Sequence, residues 1–110
     1  MKRINWDNLP EHQVVEGLYG KFFHSQTMTI VQWRFEAGAD LPLHNHPHEQ
    51  ITLIQKGKLE LTIDNNRYIL TTGDTMPIAS NISHGGKAVE ATVALDIFHP
   101  VREDFKEKFG

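Results

Sequence analysis

The chain has 110 residues, with eleven Lys and Arg against fourteen Asp and Glu, a net charge of −3 and no cysteine. That length holds one domain, whose single core buries roughly two-thirds of the unfolded chain's surface. The balanced charge, with no basic stripe and no interleaving of basic and aromatic residues, excludes nucleic acid as a partner. The absence of cysteine excludes disulfides, thiolate ligands and a cysteine nucleophile. Lys2 and Arg3 are followed by Asn5, Asp7 and Asn8 rather than an apolar run, so no signal peptide is expected. No stretch approaches the roughly twenty apolar residues of a membrane span. A cytoplasmic protein with no membrane partner is the expectation.

In chain order, residues 1–27 read as edge strands or an arm, with Trp6, Leu9, Val14, Val15 and Leu18 able to cover a sheet edge. Met28–Phe35 is rich in β-branched and aromatic residues and reads as a strand. Gly38–Pro42 reads as a turn, and Gln50–Gln55 as a second strand closed by Lys56-Gly57. Lys58–Asp64 alternates Leu59, Leu61 and Ile63 against Glu60 and Thr62, a half-buried strand. Asp64-Asn65-Asn66 is a hairpin turn, because Asn and Asp tolerate left-handed backbone, and Arg67–Thr72 is the returning strand. Thr75–Ile78 is short and extended, Ala79–Ser83 is a loop, and His84-Gly85-Gly86 is a turn. Ala88–Phe98 reads as the last long strand. Its odd positions from Val89 to Ile97 are all apolar, and its even positions, Asp96 and Phe98 among them, are mixed. Only Arg102–Phe109 has a helical pattern, with Phe105 and Phe109 on one face. Many short strands between frequent turns predict an all-β sandwich or barrel.

The densest chemistry lies in His44-Asn45-His46-Pro47-His48-Glu49-Gln50, three imidazoles and an amide within seven residues. Imidazole nitrogen and amide oxygen both suit divalent transition metals. In an extended chain, residues of equal parity face one side, so His44, His46 and Gln50 can aim at one point. His48 has the same parity, but Pro47 makes its direction uncertain, and it reads as a rim residue. Glu49 faces away. His12, His24 and His99 read as surface residues.

Gly38, five residues, His44-Asn45-His46, Gln50 and Gly57 together resemble the first cupin motif; Gly73, ten residues and His84 resemble the second. The resemblance spans motifs at about 38–57 and 73–88. It implies one domain over 1–110, built as a double-stranded β-helix, the cupin jelly-roll barrel, with a short C-terminal helical tail. It implies one divalent transition metal, nickel, zinc, manganese or iron, held by His44, His46, Gln50 and His84. The chain departs from the family pattern at Gln50, where most cupins have glutamate, and at Ala79, Asn81 and Ala88. Three neutral imidazoles and a neutral amide leave the site at +2, a stronger partner for an anionic substrate than a glutamate-bearing site.

The ending Asp96-Ile97-Phe98-His99-Pro100-Val101-Arg102-Glu103-Asp104-Phe105 admits a bland reading, a strand end with a helix-capping acid and a solvated arginine. Beside the histidine segment it is similar to the small cupins of the KdgF type, the pectin-degradation proteins. That resemblance implies opening of the ring of 4,5-unsaturated uronates to the linear 4-deoxy-5-keto-uronate. It implies a small anionic sugar acid as substrate, Asp96, Phe98 and Arg102 as catalytic residues, and a homodimer. The competing readings are a metal-dependent dioxygenase, a non-catalytic sugar-binding cupin and a phosphosugar isomerase.

Overall fold

The computed structural model describes residues 1–110. It contains ten strands: β1 (His12–Val15), β2 (Leu18–His24), β3 (Thr29–Phe35), β4 (Asp40–His44), β5 (Glu49–Lys56), β6 (Lys58–Ile63), β7 (Asn66–Thr71), β8 (Thr75–Ile78), β9 (His84–Ala88) and β10 (Thr92–His99). A 3-10 turn at Trp6–Asn8 precedes them, and one helix, α1 (Glu103–Phe109), follows. The strands form a six-stranded sheet in the order β1-β2-β3-β10-β5-β8 and a four-stranded sheet in the order β4-β9-β6-β7. Every pairing is antiparallel. This is the expected all-β jelly roll. No helix is long and apolar enough to cross a membrane.

The hairpin between β6 and β7 turns at Asp64 and Asn65, with φ of 49° and 69°, as their tolerance of left-handed backbone predicts. Three boundaries differ from the sequence reading. Asp40–Pro42 does not turn but opens β4, after a turn around Gly38. His84-Gly85-Gly86 is not a turn but the start of β9, paired with both β4 and β6. Ala88–Phe98 is not one strand. Ala88 ends β9, locked by Gly38 N–H to its carbonyl at 2.8 Å and by its own N–H to Ala39 at 3.0 Å. The chain then crosses between sheets, and the Thr92 hydroxyl closes the bend by donating to the Glu90 carbonyl at 2.8 Å.

The two sheets enclose a core built on Leu18, Val31, Trp33, Ile54, Leu59 and Phe98. Phe105 and Phe109 of α1 close one end over Phe22, at ring distances of 5.3 and 4.6 Å. In β10 the mixed face, Thr92, Ala94, Asp96 and Phe98, turns inward. The uniformly apolar face, Val93, Leu95 and Ile97, turns outward, where Ile97 lies between Ile30 and Ile51 in the adjacent strands. The N-terminal segment forms the edge hairpin of β1 and β2, and Lys21 Nζ donates to the Trp6 carbonyl at 3.0 Å, holding the leading turn.

Gly57 occupies the tight β5–β6 connection at φ +111°, and a Cβ there would lie 2.5 Å from both the Ala91 carbonyl oxygen and Thr92 Oγ1. Gly73 also has positive φ, +92°, but open space around it. Gly57→Ala is therefore expected to cost roughly 2–4 kcal/mol, and Gly73→Ala only about 1 kcal/mol. Urea unfolding of the two variants beside the wild type checks the difference; equal losses would contradict it.

Candidate metal centre

His44, His46 and His84 converge, with one ring nitrogen from each lying within 4.8 Å of the others. The route differs from the single extended segment expected. β4 ends at His44, the chain bends through Asn45–His48, and β5 begins only at Glu49. Pro47 has no N–H for a ladder, and the His46 carbonyl is taken by Asn81 N–H at 2.8 Å, which docks the bend on the loop before β9. His44 sits directly across from His84 in the β4–β9 register, while Gln50 and Phe98 face each other across β5 and β10. The site therefore joins one strand pair from each sheet.

Each histidine is oriented by a backbone carbonyl. Nδ1 of His44 donates to Pro42 at 2.8 Å, that of His46 to His48 at 3.0 Å, and that of His84 to Ile82 at 2.8 Å. A carbonyl only accepts, so each ring carries its hydrogen on Nδ1 and presents a bare Nε2 lone pair. Nε2 of His84 is buried without a partner. Nε2 of His46 faces Gln50 Oε1 at 3.0 Å. In this tautomer both of those atoms are acceptors. An orphaned nitrogen beside two acceptors in contact is what the ligand set of a cation presents, and a divalent transition metal satisfies all of them. His44, His46, His84 and Gln50 thus fit the metal that the sequence motif implies. His48 stands outside the group, and its carbonyl holds His46. Glu49 is exposed, as its parity predicts.

Beside the histidines, β10 points Asp96 and Phe98 inward, and both are almost fully buried. Arg102 is not the solvated arginine of the bland reading, since only 7% of its surface is exposed. Its Nε and Nη2 donate to Asp104 at 2.9 and 2.7 Å, and its guanidinium lies 3.8 Å over Phe105 and 4.8 Å from Phe98. Asp104 pairs with Arg102, and α1 has no side-chain cap at its N-terminus. A cavity of about 270 Å³ is lined by His44, Gln50, Asp96 and Arg102 on the polar side, and by Trp33, Phe98 and Phe105 among its apolar walls. A larger cleft of about 460 Å³ lies around Gly17 and Gly38 and contains none of these groups.

The Cupin domain family matches residues 31–98. The pectin degradation protein KdgF of Dickeya dadantii (strain 3937) is 32% identical over 102 residues, covering 90% of this chain and 93% of that protein. The chain is a cupin of the KdgF type. Among solved structures, KdgF from Halomonas sp. superimposes with a TM-score of 0.85 at 27% identity, covering 90% of this chain and 94% of that one. An RmlC-like cupin from Shewanella frigidimarina superimposes at 0.86 with 25% identity, covering 90% of each chain.

In this cupin three groups missed by the sequence reading complete the site: Trp33, Thr52 and Asp104. The Trp33 indole N–H donates to Asp96 Oδ2 at 2.7 Å, and the Thr52 hydroxyl donates to Asp96 Oδ1 at 2.6 Å. Thr52 shares the parity of Gln50 on β5, the one sequence signal that could have found it. His12 and His24, read as surface residues, are half-buried. His12 packs on Phe22 and Phe109, and His24 Nδ1 meets Thr29 Oγ1 at 2.8 Å. The same Thr29 oxygen accepts the Arg102 N–H at 2.9 Å, fixing where Arg102 leaves the barrel.

Burial, then the positive field of Arg102, pushes His46 down to about 4. Burial is also the leading cause that lowers His84, His48 and His24. Neutral imidazoles are what a metal requires. Asp96 moves the other way: burial raises it, against the Thr52, Trp33 and Gln50 hydrogen bonds and the Arg102 charge. Below the ordinary imidazole value of 6.5 the unfolded chain takes up protons that these folded histidines resist, His46 down to about 4. Stability is therefore fully present above 6.5 and is lost as pH falls through that window. The single opposing group is Asp96, which favours the folded state as pH falls. The melting temperature of metal-free protein is expected to drop steadily from pH 7 to 4.5; a flat profile would contradict the assignment.

Proposed function

We propose that this cupin opens the ring of 4,5-unsaturated uronates, giving the linear 4-deoxy-5-keto-uronate. The observation that carries this reading is that Asp96, Phe98 and Arg102 line one cavity with His44 and Gln50 of the candidate metal group. It is supported by the likeness to a pectin degradation protein. A cavity of about 270 Å³ sits at the small end of ligand sites, the scale of a single sugar ring.

His44, His46, Gln50 and His84 would hold the metal, nickel, zinc, manganese or iron, which supplies Lewis-acid stabilisation of negative charge on substrate oxygens. Asp104 occupies the Nε–Nη2 edge of Arg102, so the uronate carboxylate meets the arginine end-on through Nη1. Phe98 forms an apolar wall against the ring. Asp96 handles the proton. As a carboxylate it takes the hydrogen of the anomeric hydroxyl, C1 becomes the aldehyde, and the bond from C1 to the ring oxygen breaks. The electron pair passes through the enol oxygen to C4, which receives the proton from Asp96, leaving a ketone at C5. The step is an isomerisation: it consumes no water, oxidant or nucleophile, and one base serves both ends of the transfer.

The test is an ultraviolet assay with 4,5-unsaturated galacturonate. The conjugated enol acid absorbs and the ring-opened keto acid does not. Metal-loaded protein is expected to accelerate loss of absorbance, and chelator to abolish the acceleration. Asp96→Ala is expected to lower kcat by about 100- to 10,000-fold, the usual weight of a positioned acid–base group. A fully active Asp96→Ala variant would sink the mechanism. Metal-loaded protein with no acceleration, together with oxygen uptake by the iron form, would favour the dioxygenase reading.

A further inference from the structure

Five buried groups, joined by four polar contacts, form an unbroken line from Trp33 to His46. Trp33 Nε1 donates to Asp96 Oδ2 at 2.7 Å, Thr52 Oγ1 donates to Asp96 Oδ1 at 2.6 Å, Gln50 Nε2 donates to Thr52 Oγ1 at 3.0 Å, and Gln50 Oε1 faces His46 Nε2 at 3.0 Å. Asp96, Thr52 and Gln50 are each 5% exposed or less. The register enforces the line, since Thr52 lies directly across from Asp96 in the β5–β10 pair.

The direction of this line is determined by counting hydrogens. Ionised, as the proposed mechanism uses it, the Asp96 carboxylate only accepts, and the Trp33 indole is a donor already aimed at it. The Thr52 hydroxyl has one hydrogen, and it goes to Asp96. The Thr52 oxygen must then accept from residue 50, so the Gln50 amide turns its NH₂ to Thr52 and its oxygen to the histidines. With either link removed, the amide can turn over and present N–H to His46 Nε2, which occupies the lone pair a metal needs. We infer that Thr52 is a positioning residue for the metal centre, and that Asp96, through Thr52, decides which end of Gln50 the metal meets. This inference rests on the metal reading above.

The same count accounts for glutamine at a position where most cupins carry glutamate. A glutamate at 50 could only accept from Thr52, whose single hydrogen is already committed to Asp96. Two carboxylates would then share one hydroxyl proton in a buried site. An ionised Asp96 and a donor at position 50 therefore come as a pair, joined by Thr52.

The test is the dissociation constant for nickel and for zinc, measured by competition with a chromogenic chelator at fixed neutral pH. The proteins are the wild type, Thr52→Val, Thr52→Ser, Asp96→Asn and the double variant Thr52→Val/Asp96→Asn. Valine keeps the shape of threonine, and the melting temperatures of the metal-free proteins check folding. Thr52→Val and Asp96→Asn are each expected to bind about 10- to 100-fold more weakly, the usual weight of a residue that orients a ligand. Thr52→Ser is expected to stay within about threefold of wild type. The double variant is expected to be no weaker than about threefold beyond either single one, because both changes break one chain. In the Asp96→Asn variant the side chain donates to Thr52, whose hydrogen then turns toward Gln50 and inverts the amide. Tight binding by Thr52→Val or by Asp96→Asn, beside a wild type that binds metal, overturns this inference alone. Weak binding by Thr52→Ser overturns the hydroxyl as the cause. A wild type that binds neither metal overturns the metal reading and this inference together.

Discussion

A carboxylate sealed inside the barrel is the constraint around which the interior is arranged. Asp96 is 5% exposed and sits in the middle of β10, the strand that pairs with both β3 and β5. A buried polar group left without partners costs about 1–3 kcal/mol, and a charged one more. Each neighbouring strand therefore supplies a donor: Trp33 from β3 and Thr52 from β5. Arg102, at the mouth of the same cavity, adds a favourable field without a direct bond. The core is consequently two regions in one volume. Leu18, Val31, Ile54 and Leu59 pack without polar atoms, while Asp96, Thr52, Gln50 and the histidines form a hydrogen-bonded block beside them. The antiparallel registers keep the block in place, because Thr52 opposite Asp96 and His44 opposite His84 are fixed by backbone pairing before any side chain chooses a rotamer.

Arg102 shows how the second half of the site is stiffened. Its backbone N–H is tied to the fully buried Thr29, its Nε–Nη2 edge to Asp104, and its flat face to Phe105. An exposed ion pair contributes little, and Asp104 is itself largely exposed. The pairing matters more as geometry than as stability. It consumes the Nε–Nη2 edge of the guanidinium and leaves Nη1 free of that pairing, in a residue that lines the cavity. The helix that carries Asp104 and Phe105 is anchored by the stacking of Phe109 on Phe22. This short tail therefore belongs to the binding site as well as to the fold.

Most of the fold and half of the site were legible in the sequence, and the reasons are specific. The strand period, the Asp64–Asn65 turn and the two glycine-bounded histidine motifs give the barrel and its candidate ligands, since each is a local signal. The Asp96–Phe98–Arg102 ending was legible only through family resemblance. Trp33 was not legible, and Thr52 only by its parity with Gln50, because a tryptophan or threonine in a strand is the ordinary β-former, and only the partner strand shows what its polar atom meets. The face of β10 was the least legible. Alternation separates two faces but does not say which is inside. Here the uniformly apolar face lies outside, against Ile30 and Ile51, because the interior face had to carry the chemistry.

That reversal bears on how the barrel tolerates its own site. The polar block displaces apolar volume from the interior and leaves the His84 Nε2 buried without a partner. It also depresses several histidines and lifts Asp96, so the metal-free interior holds groups at odds with their preferred ionisation. A divalent cation on the three Nε2 atoms and the Gln50 oxygen would satisfy the orphaned nitrogen and separate the two facing acceptors. Ligand binding to the native state alone adds to stability by mass action, so a metal held by these residues would couple its loading to folding. The deficits of the empty interior are the same features that make it a ligand set. A polar core that ended in internally satisfied hydrogen bonds would be more stable without metal and would have no lone pairs to offer one.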